Sequence, residues 1–201
     1  MDEIKRFRIT IAGNKLLMHN GQLADPLNTY TKQLKEMTSK RKKSDDDHEK
    51  IAEIEFQGGL YFDDGAGPFI PADALDAVIT KGATKKRLGT VVQACVRTAE
   101  DINPLQYETF GAKGARTRDG LWKEPRFRDR RGCGVQKSRV IRTRPKFTNW
   151  SVTFEIDVVP SELNAKDIKQ AIIDAGVYVG LCDFRPRFGL FTLKEFEEIT
   201  S

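Results

Sequence analysis

From Trp150 to Val158 the chain alternates without a break: Trp150, Val152, Phe154, Ile156 and Val158 against Ser151, Thr153, Glu155 and Asp157. Successive side chains of a strand point to opposite faces, so this segment belongs in a sheet with one dry face and one wet face. Residues 4–11 repeat the pattern, with Phe7, Ile9 and Ile11 on one side and Arg6, Arg8 and Thr10 on the other. A sheet with one apolar face needs a second layer to cover it. Two segments at helical spacing supply one: Leu75, Val78, Ile79 and Gly82 after Pro71, and Ile168, Ala171, Ile172, Ala175 and Val179 after the capping residue Asn164.

The other elements follow from local chemistry. Asp25-Pro26 predicts a helix start, with Asp as the cap, Pro at the first helical position and Leu27, Tyr30, Leu34 and Met37 on one face. The cations Lys40 to Lys43 end that helix. Ser44 with Asp47 resembles a capping box opening a second helix over 45–56, which Gly58-Gly59 breaks. Residues 60–62 and 68–70 form a hairpin around Asp63-Asp64-Gly65. Lys85 to Arg87 close the helix that Pro71 opens, Val91 to Val96 reads as a strand, and Leu105 to Tyr107 as another. Residues 111–134 read as an extended, basic, loop-rich insertion. Val135 to Thr143 is a strand whose alternation fails at Val140-Ile141, which predicts a bulge or twist near Ile141. Pro160 ends the 150–158 strand, and Phe191 to Leu193 forms a last short strand before an acidic tail. The expected fold is α+β: one domain over 1–201, with a ferredoxin-like or RRM-like antiparallel sheet, helices on one face and the basic insertion.

Charge is distributed unevenly. Thirteen Lys or Arg and three acids lie between Lys113 and Lys146, so this stretch carries +10 in a chain of net +5, and the remainder carries −5. Arginines outnumber lysines nine to four there, and the guanidinium is a planar fork that matches phosphate and stacks on bases. Aromatic residues stand inside or beside the run, the mixture of a single-strand-binding surface. The candidate phosphate contacts near the sheet are Lys137, Arg139, Arg142 and Arg144. Arg126, Arg128, Arg130 and Arg131 are expected as mobile clamps, and Trp122 and Phe127 as stacking rings. Arg6 and Arg8 add cations on the first strand's outer face, while Trp150 belongs to the core. A solvated charged loop, or a subunit contact that pairs with the acidic remainder, is the plainer alternative.

Several classes receive no support. No apolar run approaches a membrane span, and the N-terminal MDEIKRFRIT has no signal-peptide core, so a cytoplasmic setting is expected. Cys95, Cys133 and Cys182 are odd in number and far apart, and with only His19 and His48 beside them no metal site is expected. No cofactor is expected either: Gly111-Ala112-Lys113-Gly114 lacks P-loop spacing. Asp45, Asp46 and Asp47 point in different directions on a helix and serve its N-terminus.

Two stretches carry a family resemblance. PFIPADALDAVITKGA, Pro68 to Ala83, is similar to the strand-to-helix segment of "IPGSSLKGAL" type in the RAMP proteins of CRISPR effectors, and GLCDFRPRFGLF, Gly180 to Phe191, looks like their C-terminal glycine-rich loop. Ala72-Asp73 stands where that family often has Gly-Ser, and the loop is less rich in glycine. The LLMHN, IP-helix and RPRFG features also resemble uncharacterised proteins of tailed bacteriophages. The resemblance to the backbone subunits of those effectors implies a ferredoxin-like core that polymerises along RNA, with contacts at Arg185, Arg187 and Lys81.

The expected function is therefore non-enzymatic binding of single-stranded RNA or DNA by a phage-encoded protein that forms homo-oligomers along the strand in the host cytoplasm. Other phage or host proteins are further expected partners. Two alternatives stand beside it: a structural or inhibitory protein that docks an acidic partner, and a RAMP-type metal-independent endoribonuclease with His19 as its base.

Overall fold

The computed structural model describes residues 4–135, 138–159 and 163–199. Its elements in chain order are β1 (Lys5–Leu17), α1 (Thr29–Ser39), α2 (Asp45–Gly59), β2 (Phe62–Asp63), β3 (Gly67–Pro71), α3 (Ala72–Ala83), α4 (Gly89–Cys95), β4 (Val96–Thr98), β5 (Ile102–Gln106), α5 (Arg118–Lys123), β6 (Arg128–Val135), β7 (Ser138–Val158), α6 (Ala165–Asp174) and β8 (Thr192–Ile199). The fold is α+β, with a large antiparallel sheet and helices. The chain forms two compact units. One comprises Met1–Leu16, Asp63–Glu108 and Phe147–Ser201, the other Leu17–Phe62 and Thr109–Lys146.

In the first unit the strands lie in the order β3, β5, β7, β1, β8, and β4 also pairs with β7. Taken as β1-α3-β5-β7-α6-β8, the second, third, first and fourth strands are neighbours, which is the ferredoxin-like arrangement. Both sequence-read strands present the faces their alternation predicts. Phe7, Ile9 and Ile11, with Trp150, Val152, Phe154, Ile156 and Val158, are at most 3% exposed. The buried stripes of α3 (Leu75, Val78, Ile79) and α6 (Ile168, Ala171, Ile172) complete this core, each fully buried aliphatic or aromatic side chain contributing about 1.5–3 kcal/mol. Gly82 lets the two helices meet: a Cβ there would stand 2.1 Å from the Ala171 carbonyl oxygen and 2.7 Å from the Ala175 Cβ.

The second unit is built on α2. The Ser44 hydroxyl accepts from the Asp47 N–H at 3.2 Å and the Asp47 carboxylate accepts from the Ser44 N–H at 3.1 Å, completing the capping box. Lys40 adds an ion pair to Asp47 at 2.7 Å. Its hydrogen bond and the Ser44 N–H hold the Asp47 carboxyl down at about 2. Arg118 fastens α5 to α2: it donates to the Gln57 carbonyl at 3.0 Å, and Gln57 Nε2 donates to the Arg118 carbonyl at 3.2 Å. Phe56 packs on Trp122 and Phe110 on Phe127, with ring centroids 5.4 and 5.5 Å apart.

Several expected elements differ. α1 starts at Thr29 under an Asn28 cap, because Asn28 Oδ1 accepts from the Tyr30 N–H at 2.9 Å, while Asp25 instead accepts from the Leu27 N–H. α2 continues through Gly58-Gly59, since Gly58 lies where a side chain would strike Leu23 and Tyr30. Residues 89–95 are helical and only Val96 begins a strand; their β-branched residues are overridden by tertiary packing, which buries Val92. The stretch 111–134 is structured rather than an open loop, holding α5, a 3₁₀ turn at Pro125–Phe127 and β6. β7 is a single strand of 21 residues where the sequence suggested two. Its pairing with β6 runs unshifted from Arg128↔Pro145 to Val135↔Ser138, so there is no bulge at Ile141. The acidic tail is itself strand β8.

Candidate nucleic-acid interface

By sequence count the second unit carries +9 and the first −4. The basicity thus belongs to one folded body, concentrated on the β6–β7 hairpin and α5.

Most of these guanidiniums are held by carboxylates. Arg142 Nη1 donates to Glu55 Oε1 at 2.5 Å, and Glu55 Oε2 also accepts from the Thr143 N–H at 2.8 Å. Glu55 is buried while the Arg142 side chain remains 41% exposed, so the carboxylate aims a guanidinium whose other N–H groups remain outside this bond. Glu49 serves two arginines at once, Arg128 at 3.3 Å and Arg130 at 3.7 Å. Arg131 pairs with Asp129, and Arg126 with Glu124 at 2.7 Å, a bond that holds Glu124 down at about 2. Arg144 donates to Cys133 Sγ at 2.9 Å, and Arg139 is exposed. Arg126 thus stands on the 3₁₀ turn and Arg128, Arg130 and Arg131 on β6, each beside a carboxylate. Exposed ion pairs contribute only about 0–1 kcal/mol, so a phosphate can displace Glu49, whose side chain is 57% exposed, from Arg128 and Arg130 at small expense. Lys137 lies outside the described residues.

The two stacking candidates are placed differently from expectation. Phe127 is fully buried against Phe110, so its ring is core and closed to a base. Trp122 is half-buried, with Phe56 on it and the Arg128 guanidinium 4.5 Å over its ring. A base reaches that ring only by displacing Arg128.

The first unit places its candidates on two sites of its own. Arg6 grips Asp157 through Nε and Nη2 at 2.7 and 2.9 Å, and Arg8 reaches Glu155 at 2.9 Å. Glu195 and Glu197 of β8 stand in register with Thr10 and Arg8, and Arg97 of β4 with Asp157, so this sheet face offers four carboxylates to three guanidiniums. Arg185 and Arg187 are exposed on the 180–191 loop, which the Gly189 N–H ties to the Lys15 carbonyl at 2.8 Å. Gly189 has φ +82°, and a side chain there would meet the Leu181 carbonyl. Lys81 lies in the last turn of α3. Cys182 in the loop is a free thiol that burial pushes up to about 12.

His19 is exposed and lines a pocket in the second unit together with Glu55, Arg142 and Arg144. Sequence reading missed Glu49 and Glu55, which position the arginines; the i, i+6 spacing on α2 carries no signal until the hairpin packs over it. No group of His, Cys, Asp and Glu suited to a metal ion, and no helix long and apolar enough to cross a membrane, occurs among the described residues.

No family model and no curated protein matches the sequence. A cryo-EM structure of the type III-B Cmr-beta complex bound to cognate target RNA contains a chain of similar fold. The two align with a TM-score of 0.51 and 13% identity over 98% of this chain and 61% of that one. This protein thus spans about three fifths of the length of that chain. The likeness is one of fold.

Proposed function

We propose that this protein binds single-stranded nucleic acid, RNA in the first instance, on the β6–β7 hairpin of its second unit, without cleaving it. The observation that carries this is the split between a +9 unit and a −4 unit. Counterion release from a phosphate chain acts on such a concentrated field. Glu49, the exposed partner of Arg128 and Arg130, is a carboxylate that a phosphate can replace, and Arg130 and Arg139 stand exposed on the hairpin. The fold shared with a chain of an RNA-bound complex supports RNA as the polymer. Lys15, Arg185 and Arg187 form a separate, smaller contact on the first unit. Several copies bind along one strand, and in a phage-infected cell this takes place in the host cytoplasm.

The test is binding of a labelled single strand of about 30 nucleotides at about 50 mM and about 200 mM salt. Affinity should fall steeply with salt, and electron micrographs should show several copies on each strand. Affinity indifferent to salt, or no binding at the lower concentration, would overturn the proposal.

A further inference from the structure

The pocket that contains His19 lies entirely within the second unit and has a volume of about 400 Å³, inside the range of about 300–1,000 Å³ typical of small-molecule sites. Its lining mixes two kinds of chemistry. Arg142, Arg144 and His19 are among the lining residues, and so are the apolar Leu23, Ala24 and Leu34. Glu55 is the acid of the lining, and it already accepts from Arg142 and from the Thr143 backbone. The charge left to an occupant is positive, and the arginine that presents it is preorganised. Thr143 also lines the pocket; it is 3% exposed, and its hydroxyl has no hydrogen-bond partner among the described residues. That hydroxyl is closed to solvent, so an occupant is held by the arginines and not by Thr143.

We propose that this pocket is a binding site for one nucleotide, with the phosphate on Arg142 and Arg144 beside His19 and the base or ribose against Leu23 and Leu34. The choice of a nucleotide over other phosphate-bearing ligands rests on the nucleic-acid function proposed above. The occupant is either a free mononucleotide or one residue of the bound strand, and the chemistry is the same for both.

The experiment is calorimetric titration of the whole protein with AMP and UMP, with inorganic phosphate and adenosine as single-group controls. The monophosphates should bind at least about tenfold more tightly than either control, since the cationic and the apolar side chains of the lining are then both used. His19→Ala, an exposed position, and Arg142→Lys, which keeps the charge facing Glu55 but loses the fork, should each weaken AMP binding by about three- to tenfold with the melting temperature retained. Equal affinity for AMP and inorganic phosphate, or AMP binding untouched by both variants, would overturn the site.

Adding the single strand then separates the sources. Release of AMP by the strand assigns the pocket to a nucleotide of the polymer, and simultaneous binding assigns it to a free nucleotide. Strand binding that stays salt-dependent while AMP fails to bind would reject the pocket alone. AMP binding without any strand binding would reject the proposed function and leave the pocket standing.

Discussion

The open face of the first unit's sheet and the hairpin of the second unit both display arginines, and they use them in opposite ways. On the sheet, Arg6 and Arg8 sit among Glu155, Asp157, Glu195 and Glu197, so the guanidiniums are outnumbered and tie strands together. On the hairpin and its surroundings the ratio is reversed. Glu49 pairs with both Arg128 and Arg130, and the unit keeps a surplus of +9. An arginine on a strand therefore says little about polyanion binding until the acids across from it are known. The face that an RRM-like fold would offer to RNA is here a lattice of internal ion pairs, and the cationic surplus lies on the other body.

The largest expected effect breaks the scaffold without touching the charge. Gly82→Leu would force α3 and α6 apart and should cost about 3 kcal/mol or more by urea unfolding, while the fraction that stays folded keeps its salt-dependent strand binding. The comparison itself is sharpened by neutralising two arginines on each body. Arg130→Gln with Arg139→Gln should weaken binding of the single strand about tenfold and make the slope of log affinity against log salt shallower by up to about two. Arg6→Gln with Arg8→Gln should change affinity by less than about threefold. Equal losses would mean that only total charge matters and that the two faces are equivalent.

A smaller effect concerns the footing of the second unit. Ser44→Ala removes one half of the α2 capping box and should lower stability by about 1 kcal/mol in denaturant titration. The smallest is a pH effect. Asp47 and Glu124 are both held at about 2, below their ordinary 3.8 and 4.5, by hydrogen bonds and ion pairs that need the charged form. Their contribution is complete above the ordinary carboxylate range and is lost as pH falls toward about 2. Acid titration should therefore destabilise the native protein more steeply over that interval than the Asp47→Asn, Glu124→Gln variant, as followed by circular dichroism.

The ferredoxin-like half was legible where a single period ran unbroken. Trp150 to Val158 and Phe7 to Ile11 present the faces that their alternation predicts, and Leu75, Val78 and Ile79 form the buried stripe of α3. Local hydrogen-bond chemistry was equally readable at Ser44 and Asp47, which lie three residues apart. Val91 to Val96 reads as a strand, yet residues 89–95 are helical, because β-branched side chains prefer strands only when a pleated, half-buried surface receives them. Residues 111–134 were misread as loop because short elements rich in Gly and Arg draw their order from distant partners, as Arg118 does from Gln57. The arginines beside Phe127 suggest exposure, but one-residue steps along a strand or turn change burial completely, and its ring is core.

The amino-acid sequence determined on its own the antiparallel α+β core, the capped helix α2 and the existence of a strongly basic stretch, since each depends on side-chain period, on neighbours three residues apart, or on a simple sum of charges. Tertiary structure alone decided which arginines face carboxylates, that Glu55 aims Arg142, and that His19 shares a pocket with both. Those pairings join residues far apart in the chain, and the strength of an ionic contact depends on distance and burial, which no local pattern encodes.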